Sequence, residues 1–466
     1  MADPEYRVEH DSMGEVRVPA GALWGAQTQR AIANFALSGL RMPRGLIRAL
    51  ALIKWAAARA NVALAGLEPR RGAAIERAAL SVAGGAHDEA FPLDVFQTGS
   101  GTSTNMNVNE VVARLASIEL GSAVHPNDDV NRSQSSNDCV PSAIHVAAAL
   151  ALEESLLPAL HALAAIIDDQ ARVHAQVVKT GRTHLMDAMP LTVGQEFGAW
   201  RAQILADVAR LEATRPRVLR LAQGATAIGS GVNAPAGFGA FVARELAVRS
   251  GLAFAPADDL FAALACQDTA VELSGQLRVL AVSLLKIAND LRWMNSGPLA
   301  GLGEITLPAL QPGSSIMPGK VNPVVPEAVA MAAVQVIGHD AAIALAGSSG
   351  SFQLNVMLPL IAHDLLESIA LLASAARALG HQAIQGLKVN AGRLAESVER
   401  NPILVTALNA LIGYEQGAAV AKAAYASGRP ILDVAVEFTG RPRAELAALL
   451  DPARLTRAGG NAGGDG

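Results

Sequence analysis

The chain has 466 residues and a mild net charge of −5, with basic residues scattered along its length. This pattern excludes a basic surface for nucleic acids, and no basic amphipathic segment indicates binding to a membrane surface. Hydrophobic residues make up 51% of the sequence but aromatic residues only 4%, so the core must consist mostly of Ala, Leu, Val and Ile, which favours an all-α fold over a sheet protein.

In chain order, the predicted elements form three domains and a tail. Residues 1–132 mix short helices with polar loops, residues 133–390 contain the longest predicted helices, and residues 391–458 form a small helical domain. The Gly-rich residues 459–466 are predicted to be a disordered tail. A length of about three usual domains agrees with this division.

The clearest helix lies in the middle of the chain, where apolar residues follow each other at alternating steps of four and three. These residues are Leu273, Leu277, Leu280, Leu284, Ile287, Leu291 and Met294. Such a heptad pattern is typical of a long helix packed nearly parallel to its neighbours. Further long helices are predicted at 138–174, with a kink at Pro158, and at 190–220, 324–348 and 356–388. Together they predict an elongated five-helix bundle.

The first polar segments lie at residues 97–105, 125–128 and 133–138. Their dense hydroxyl and amide groups are suited to binding a carboxylate without a metal. The same groups could instead form turns and helix caps, with Ser135 or Ser136 at the start of the following helix. Their spacing alone leaves both interpretations open.

The second segment, residues 181–187, contains Thr183 and His184. A histidine can transfer protons near neutral pH, and a threonine can donate a hydrogen bond to a substrate carboxylate. The alternative is a histidine that caps a helix starting near Pro190.

The third segment, residues 313–323, has the sequence GSSIMPGKVNP, and Glu327 follows one turn into the next helix. Lys320 supplies a positive charge and Asn322 an amide donor, and the helix start beyond Pro323 adds a partial positive charge. These groups predict a site for a dianion under a mobile Gly-rich loop. The alternative is a flexible surface loop, which rarely needs so many polar groups.

The third segment resembles the GSSxMPxKxN signature of the fumarase/aspartase superfamily, and the other segments match that superfamily in the same order. The similarity runs from Tyr6 to about Thr439. Within the superfamily the chain resembles the class II fumarases in YRVEHDSMGEVRVPA at the start, HPNDDVN at 125–131, SQSSND at 133–138, GRTHLMDA at 181–188 and IGYE at 412–415. The departures Arg132, Cys139-Val140 and GATAIGSGVN fall on no catalytic position of the family.

The resemblance implies an all-α, fumarase/aspartase-like fold with three domains around an elongated five-helix bundle. That bundle would form the core of a homotetramer in which each active site draws on several chains. The implied activity is that of a metal-independent hydro-lyase, without a cofactor, that converts fumarate to (S)-malate in the tricarboxylic acid cycle. Fumarate and malate would be its small-molecule partners.

The implied chemistry explains the residue types. Removing a proton next to a carboxylate adds a second negative charge to that carboxylate, which must be met by preorganised donors and a cation. By resemblance, Ser314 removes the proton as an oxyanion stabilised by its own loop and Lys320, and His184, held by Glu327, handles the leaving hydroxyl through a water molecule.

The resemblance also assigns the binding residues. The carboxylates would be held by Ser100, Gly101, Thr102, Ser135, Ser136, Asn137, Thr183, Ser315, Lys320, Val321 and Asn322. A secondary, non-catalytic anion site, the B site, would consist of His125, Pro126, Asn127 and Asp128. No residue is assigned to a metal.

Two other interpretations stay open. One is a lyase of the same fold that releases ammonia or an amidine, such as an aspartate ammonia-lyase. Aspartases typically have Gln in place of His184 and Thr in place of Ser136, which argues against this interpretation. The other is a non-enzymatic relative, such as the crystallins recruited from argininosuccinate lyase, and the retained catalytic set argues against it.

The spacing of the segments predicts a site shared between subunits. Asn137 begins a predicted helix that is roughly 50 Å long at about 1.5 Å per residue. The residues from Ala175 to His184 can return at most about 33 Å. Asn137 and His184 are therefore predicted to meet only between different chains.

The cysteine content and the N-terminal sequence indicate in which cellular compartment the protein works. Cys139 and Cys266 are too few for a disulfide framework and lack metal-ligand spacing. The first ten residues contain no apolar stretch of a secretory signal, and no uninterrupted apolar run reaches the roughly 18 residues of a membrane span. We therefore expect a cytoplasmic protein with no membrane partner.

Overall fold

The computed structural model describes residues 5–457, most of which are helical. The predicted tail at 459–466 lies outside the described residues. The helices are Ala26–Asn34, Arg44–Leu64, Pro69–Ala83, Thr102–Leu120, Ser136–Ala151, Leu157–Val173, Val193–Val218, Phe238–Ser250, Leu260–Ala265, Asp268–Met294, Val324–Gly347, Leu358–Ala378, Ala391–Glu399, Asn409–Ile412, Tyr414–Ser427, Ile431–Thr439 and Arg443–Leu449. Wider helical turns lie at Pro126–Val130, Leu152–Leu156 and Leu379–Ile384, and tighter ones at Asp88–Ala90, Pro402–Leu408 and Arg454–Thr456.

All the predicted long helices are present within a few residues of their predicted bounds, if the wide turn Leu379–Ile384 is counted with the helix Leu358–Ala378. The helix Asp268–Met294 buries every residue of the predicted heptad pattern. The first long helix runs without interruption over 38 residues, from Ser136 to Val173. Its wide turn at Leu152–Leu156 ends two residues before Pro158, whose ring nitrogen has no N–H to donate to the preceding turn.

The region before residue 132 contains longer helices than expected. Arg44–Leu64 has 21 residues and Thr102–Leu120 has 19, so the expectation of short helices there is wrong. Residues 49–58 of this helix are all buried because the helix is central to its unit, and all but Lys54 are apolar. Such a stretch lacks the one-sided apolar pattern of a surface helix.

Short strands pair two by two into small antiparallel sheets, with one parallel exception between Arg220–Leu221 and Ala255–Pro256. The antiparallel pairs are Tyr6–Asp11 with Gly14–Pro19, Val178–Thr183 with Met186–Thr192, Ile305–Thr306 with Lys388–Val389, and Gly350–Ser351 with Leu354–Asn355. The helix predicted from residue 190 begins only at Val193, because the preceding residues belong to a strand.

The chain divides into two compact units. Unit 1 consists of Met1–Pro158, Asp207–Val282 and Ala332–Ser374, and unit 2 of Ala159–Ala206, Ser283–Met331 and Ala375–Gly466. The predicted domain boundaries at 132, 390 and 458 stay predictions.

Each unit has its own core. In unit 1, the helix Arg44–Leu64 packs against Pro69–Ala83, Ser136–Ala151 and Phe238–Ser250. Its Ala56 and Ala57 are fully buried, and small side chains of this kind allow helices to approach closely. In unit 2, a hydrophobic cluster in the C-terminal helices is built around residues such as Leu408, Val420 and Ala435.

Three helices are long and apolar enough, by length and composition, to cross a membrane: Ser136–Val173, Val324–Gly347 and Leu358–Ile384. The expectation that no apolar run reaches the length of a membrane span is therefore wrong by length and composition, because these helices are apolar on average although each contains charged residues. Within the chain, 50%, 33% and 67% of their most apolar stretches are buried, in that order. The helix Val324–Gly347 therefore carries a large apolar surface that its own chain does not cover.

Candidate active site

The polar segment at residues 97–105 leads into the helix Thr102–Leu120. Gly101 adopts a left-handed backbone, with φ 73°, and the Ser100 and Thr102 hydroxyls are hydrogen-bonded to each other at 2.9 Å. A side chain on Gly99 would overlap the backbone of Val356, which lies only 1.8 Å from the position of a Cβ atom. Because glycine is required there, the segment is held tightly, and it presents two hydroxyls beside the partially positive end of a helix.

Ser135 caps the helix that starts at Ser136, so the cap interpretation is confirmed for this residue. Its Oγ accepts the N–H of Asn137 at 3.2 Å, and its own N–H donates to Asp138 at 2.9 Å. Asp138 also accepts the N–H groups of Gly224 at 3.0 Å and Thr226 at 2.9 Å. Burial raises the pKa of the Asp138 carboxyl to about 6, although these donors act in the opposite direction. The cap fixes the backbone of the predicted carboxylate-binding segment.

A buried polar network that sequence analysis missed lies beneath this segment. The Nζ atom of Lys54 donates to Asn131 at 2.9 Å and to Gln134 at 3.1 Å. Asn105 donates to Asn131 at 3.3 Å and to the Ser136 hydroxyl at 3.0 Å. Lys54 is fully buried, and burial lowers its pKa. Lys54 is the one charged residue in the otherwise apolar stretch 49–58, and this was the sequence signal that could have revealed the network.

The predicted B site lies in a wide helical turn of unit 1. Asp128 donates its N–H to Nδ1 of His125 at 3.1 Å, and its carboxylate lies 3.3 Å from the same nitrogen. The side chains of His125, Asn127 and Asp128 are exposed, and Pro126 is half-buried. The N–H of His125 donates to Asp129, which is paired with Arg71 at 2.6 Å. The four predicted residues therefore lie together on a fixed, exposed turn.

His184 lies at the tip of a hairpin formed by Val178–Thr183 and Met186–Thr192, named here the His184 hairpin. It does not cap a helix, so that alternative interpretation is wrong. His184 and Leu185 form the turn with left-handed φ values of 56° and 60°. Each such residue costs about 1–2 kcal/mol, and strain of this kind is typical of functional positions. The hairpin was missed because its turn lacks the usual Asn-Gly or Asp-Gly pair.

The third segment, residues 313–323, forms a loop closed at its base and is named here the signature loop. The N–H of Gly313 donates to the carbonyl of Lys320 at 2.8 Å, and the side-chain amide of Asn322 donates to the carbonyl of Gly313 at 2.7 Å. A Cβ atom at position 313 would lie 2.7 Å from the Lys320 carbonyl, so only glycine fits. Asn322 therefore positions the loop through its side chain.

Within this loop, the Ser314 hydroxyl accepts two backbone N–H groups. Ile316 donates at 3.3 Å and Met317 at 3.0 Å. Ser314 is half-buried, whereas Ser315 and Lys320 are exposed. Both donors point at the oxygen that would carry a negative charge in the oxyanion form of serine. The loop's own N–H groups therefore contact the Ser314 oxygen, while no hydrogen bond joins Ser314 to Lys320 among the described residues. Stabilisation of a serine oxyanion stays a prediction.

A cavity of about 760 Å³ lies beside the signature loop in unit 2. Lys320, Val321, Asn322 and Glu327 line it, and Glu327 belongs to the first turn of Val324–Gly347. Further lining residues that sequence analysis missed include Arg292, Asn295 and Thr306. Arg292 lies in the last turn of the helix Asp268–Met294, and Asn295 and Thr306 follow that helix. None of them belongs to a recognisable motif, so no sequence signal pointed to them. Within residues 5–457 of one chain, no hydrogen bond or ion pair joins His184 to Glu327 or Ser314.

Metal ligands were not predicted. Among the described residues, no three His, Cys, Asp or Glu side chains come together in a group that could hold a metal ion. Metal independence stays a prediction that chelation can test.

Comparisons with known proteins identify the family. A family model described as Lyase matches residues 14–338, and one described as Fumarase C C-terminus matches residues 404–457. A class II fumarate hydratase of Xylella fastidiosa is 59% identical over 97% of this chain and 96% of its own length. A class II fumarate hydratase of Pseudomonas aeruginosa is 60% identical over 98% of this chain and 99% of its own length. The chain belongs to the class II fumarase family.

The fold of this class II fumarase agrees with that assignment. The crystal structure of a recombinant class II fumarase from Schistosoma mansoni superimposes with a TM-score of 0.94 at 36% identity, over 97% of this chain and 99% of the other. The predicted family, the fumarase/aspartase-like fold and the hydro-lyase class are therefore confirmed. The predicted site residues of the class II fumarase up to Asn137 lie in unit 1, and those from Thr183 onward lie in unit 2.

Proposed function

We propose that this chain catalyses the reversible, stereospecific hydration of fumarate to (S)-malate, the hydration step of the tricarboxylic acid cycle, without a metal. The names and high identities of its relatives support this activity. The observation that carries the chemistry is the environment of Ser314, whose hydroxyl accepts two N–H groups of its own loop. A serine can act as a base only where its anion is stabilised, and these donors are already in place.

Ser314 is the base that removes the proton from the carbon of malate next to a carboxylate. The negative charge that develops on that carboxylate is met by the ammonium group of Lys320 and by the N-terminal end of Val324–Gly347. Asn322 holds the loop in place through Gly313. Proton removal and charge stabilisation thus come from one short stretch of the chain.

His184 and Glu327 act together on the leaving hydroxyl, through a water molecule, as residues of different subunits. The absence of a bond between them within one described chain supports an inter-subunit pair. The exposed tip of the His184 hairpin is suited to reach a neighbouring subunit. A carboxylate bound to one ring nitrogen would fix the tautomer and raise the basicity of the other nitrogen.

The two substrate carboxylates are bound by hydroxyl, amide and backbone groups of the remaining segments. Paired hydroxyls at Ser100 and Thr102 and the capped segment that contains Ser135 support this role. The complete proposed set is Ser100, Gly101, Thr102, Ser135, Ser136, Asn137, Thr183, Ser315, Lys320, Val321 and Asn322. The exposed turn at residues 125–128 serves as the secondary B site and takes no part in catalysis.

The chain assembles as a homotetramer through its long helices. Only 33% of the most apolar stretch of Val324–Gly347 is buried within its own chain. Met331, Val334 and Leu345 on this helix are 69%, 59% and 72% exposed. An apolar helix surface of this kind is stable in water only when another surface covers it, and further copies of the same bundle supply one. The two free cysteines, Cys139 and Cys266, are compatible with the reducing cytoplasm, where we place the enzyme.

The test is the formation of fumarate, followed by its ultraviolet absorbance, after malate or aspartate is added to the purified protein. Malate should give fumarate rapidly and aspartate only traces, because the chain has His184 where aspartases typically have Gln. Similar rates with both would move the assignment to an aspartate ammonia-lyase. No turnover of either would favour a non-enzymatic relative.

A further inference from the structure

A buried group of charges lies at the base of the His184 hairpin, outside the residues assigned above. The Nζ atom of Lys179 donates to Glu304 at 2.7 Å and to Glu196 at 2.6 Å. Arg182, on the same strand, donates to the other carboxylate oxygen of Glu304. The side chains of Lys179 and Glu304 are only 1% and 4% exposed, so one buried carboxylate holds two cations of the strand that leads to His184.

The strand is irregular at the point where this double contact is made. Lys179 and Arg182 are three residues apart, and in a regular strand an odd separation places side chains on opposite faces. The pairing register shifts between Thr180 and Arg182. A Cβ atom at Gly181 would lie 2.5 Å from the carbonyl oxygen of Met189, so the irregularity requires glycine. It allows both cations to reach Glu304.

Glu304 is itself held on both sides by its backbone. Its N–H donates at 2.8 Å to Met294, the last residue of the heptad helix, and its carbonyl accepts the N–H of Asn390 at 2.9 Å. Its carboxylate is therefore a fixed point within unit 2. The adjacent residues Gly303 and Ile305 line the cavity beside the signature loop.

Within its own chain, the side chains at the hairpin tip are mostly exposed. Thr183 and His184 are exposed, and Leu185 and Met186 are 72% and 70% exposed. Within one chain, hydrophobic packing of these side chains therefore does not set the direction of the tip. Buried ion pairs add little net stability over apolar residues of similar size, and their best-supported benefit is a defined geometry.

We propose that Glu304 is a positioning residue for His184. By binding Lys179 and Arg182 at once, Glu304 fixes the end of the strand Val178–Thr183. It thereby sets the orientation of the imidazole of His184, two residues after Arg182. This inference rests on the proposed function of His184 in the hydration of fumarate. Misplacement by about 1 Å can lower a rate on the order of 100-fold, so loss of this anchor should mainly affect turnover.

The test compares the kinetics and the stability of paired variants. Glu304→Gln and Arg182→Met should each lower kcat for malate by about 10-fold or more, with KM changed by less than about threefold. Arg182→Lys keeps the charge and should restore part of kcat relative to Arg182→Met. Thermal unfolding of each variant is measured at the same protein concentration. Arg182 is 23% exposed and tests the proposal even if Glu304→Gln does not fold.

Asp340→Asn is the matched control. Asp340 is also a buried carboxylate, bound by Arg278 at 2.7 Å and by Ser274 at 2.7 Å, and it touches no assigned site residue. It should lower the unfolding temperature without a comparable fall in kcat. The proposal is wrong if Glu304→Gln and Arg182→Met keep kcat within about twofold of wild type, or if Asp340→Asn lowers kcat equally. A wild-type protein inactive on malate would instead refute the proposed function.

Discussion

Replacing Ser314 with alanine tests the proposed base most directly. In the structure its oxygen accepts N–H groups at 3.3 and 3.0 Å, and hydrogen bonds to a charged group contribute about 1.5–3 kcal/mol each. Two such bonds stabilise the serine oxyanion by about 3–6 kcal/mol. Ser314→Ala removes both the base and this stabilised charge, so kcat should fall on the order of 10³-fold or more, which corresponds to about 4 kcal/mol in the barrier.

The fold should tolerate the same change. Ser314 is only half-buried in an open loop, and water can replace its two hydrogen bonds, so the free energy of unfolding should change by less than about 1 kcal/mol. Fumarate formation from malate gives kcat, and calorimetric titration with malate shows whether binding is retained. Ser427→Ala, which removes an exposed helical hydroxyl bound to Ala423, is the matched control. A Ser314→Ala enzyme with kcat within tenfold of wild type would remove Ser314 from the mechanism.

Three further outcomes are expected. Activity should survive exhaustive chelation, and activity lost to a chelator and restored by a divalent ion would contradict metal independence. Asn137→Ala and His184→Asn should each be nearly inactive, but after joint unfolding and reassembly about a quarter of the sites should contain both native residues. Mixed tetramers that stay inactive would refute the shared site. Because burial raises the pKa of Asp138 from 3.8 to about 6, its contribution to stability is complete below about pH 3.8 and is lost as the pH rises through 6. Urea unfolding from pH 4 to 7 should show a smaller pH dependence for Asp138→Asn than for wild type, and equal slopes would contradict the assignment.

Local patterns determined much of this protein. The heptad pattern from Leu273 to Met294 predicted a long buried helix, since each of its apolar residues needs a partner surface wherever the helix packs. The motif at residues 313–323 predicted an anion-binding loop because its donors are close together in the chain. Ser314, Lys320 and Asn322 are separated by so few residues that their proximity hardly depends on the rest of the fold. Capping by Ser135 was predictable for the same reason.

Only the tertiary structure decided how the distant parts of the chain support these segments. Lys179 and Glu304 are 125 positions apart, and Lys54 and Gln134 are 80 apart, so the packing of distant elements brings them together. The His184 hairpin depends on a left-handed turn without glycine and on the carbonyl of Met189 beside Gly181, neither of which has a sequence signal. Burial of a charge is a property of all the surrounding elements together. For this reason the candidate reactive groups could be proposed from the sequence, while the residues that hold their segments in place could not.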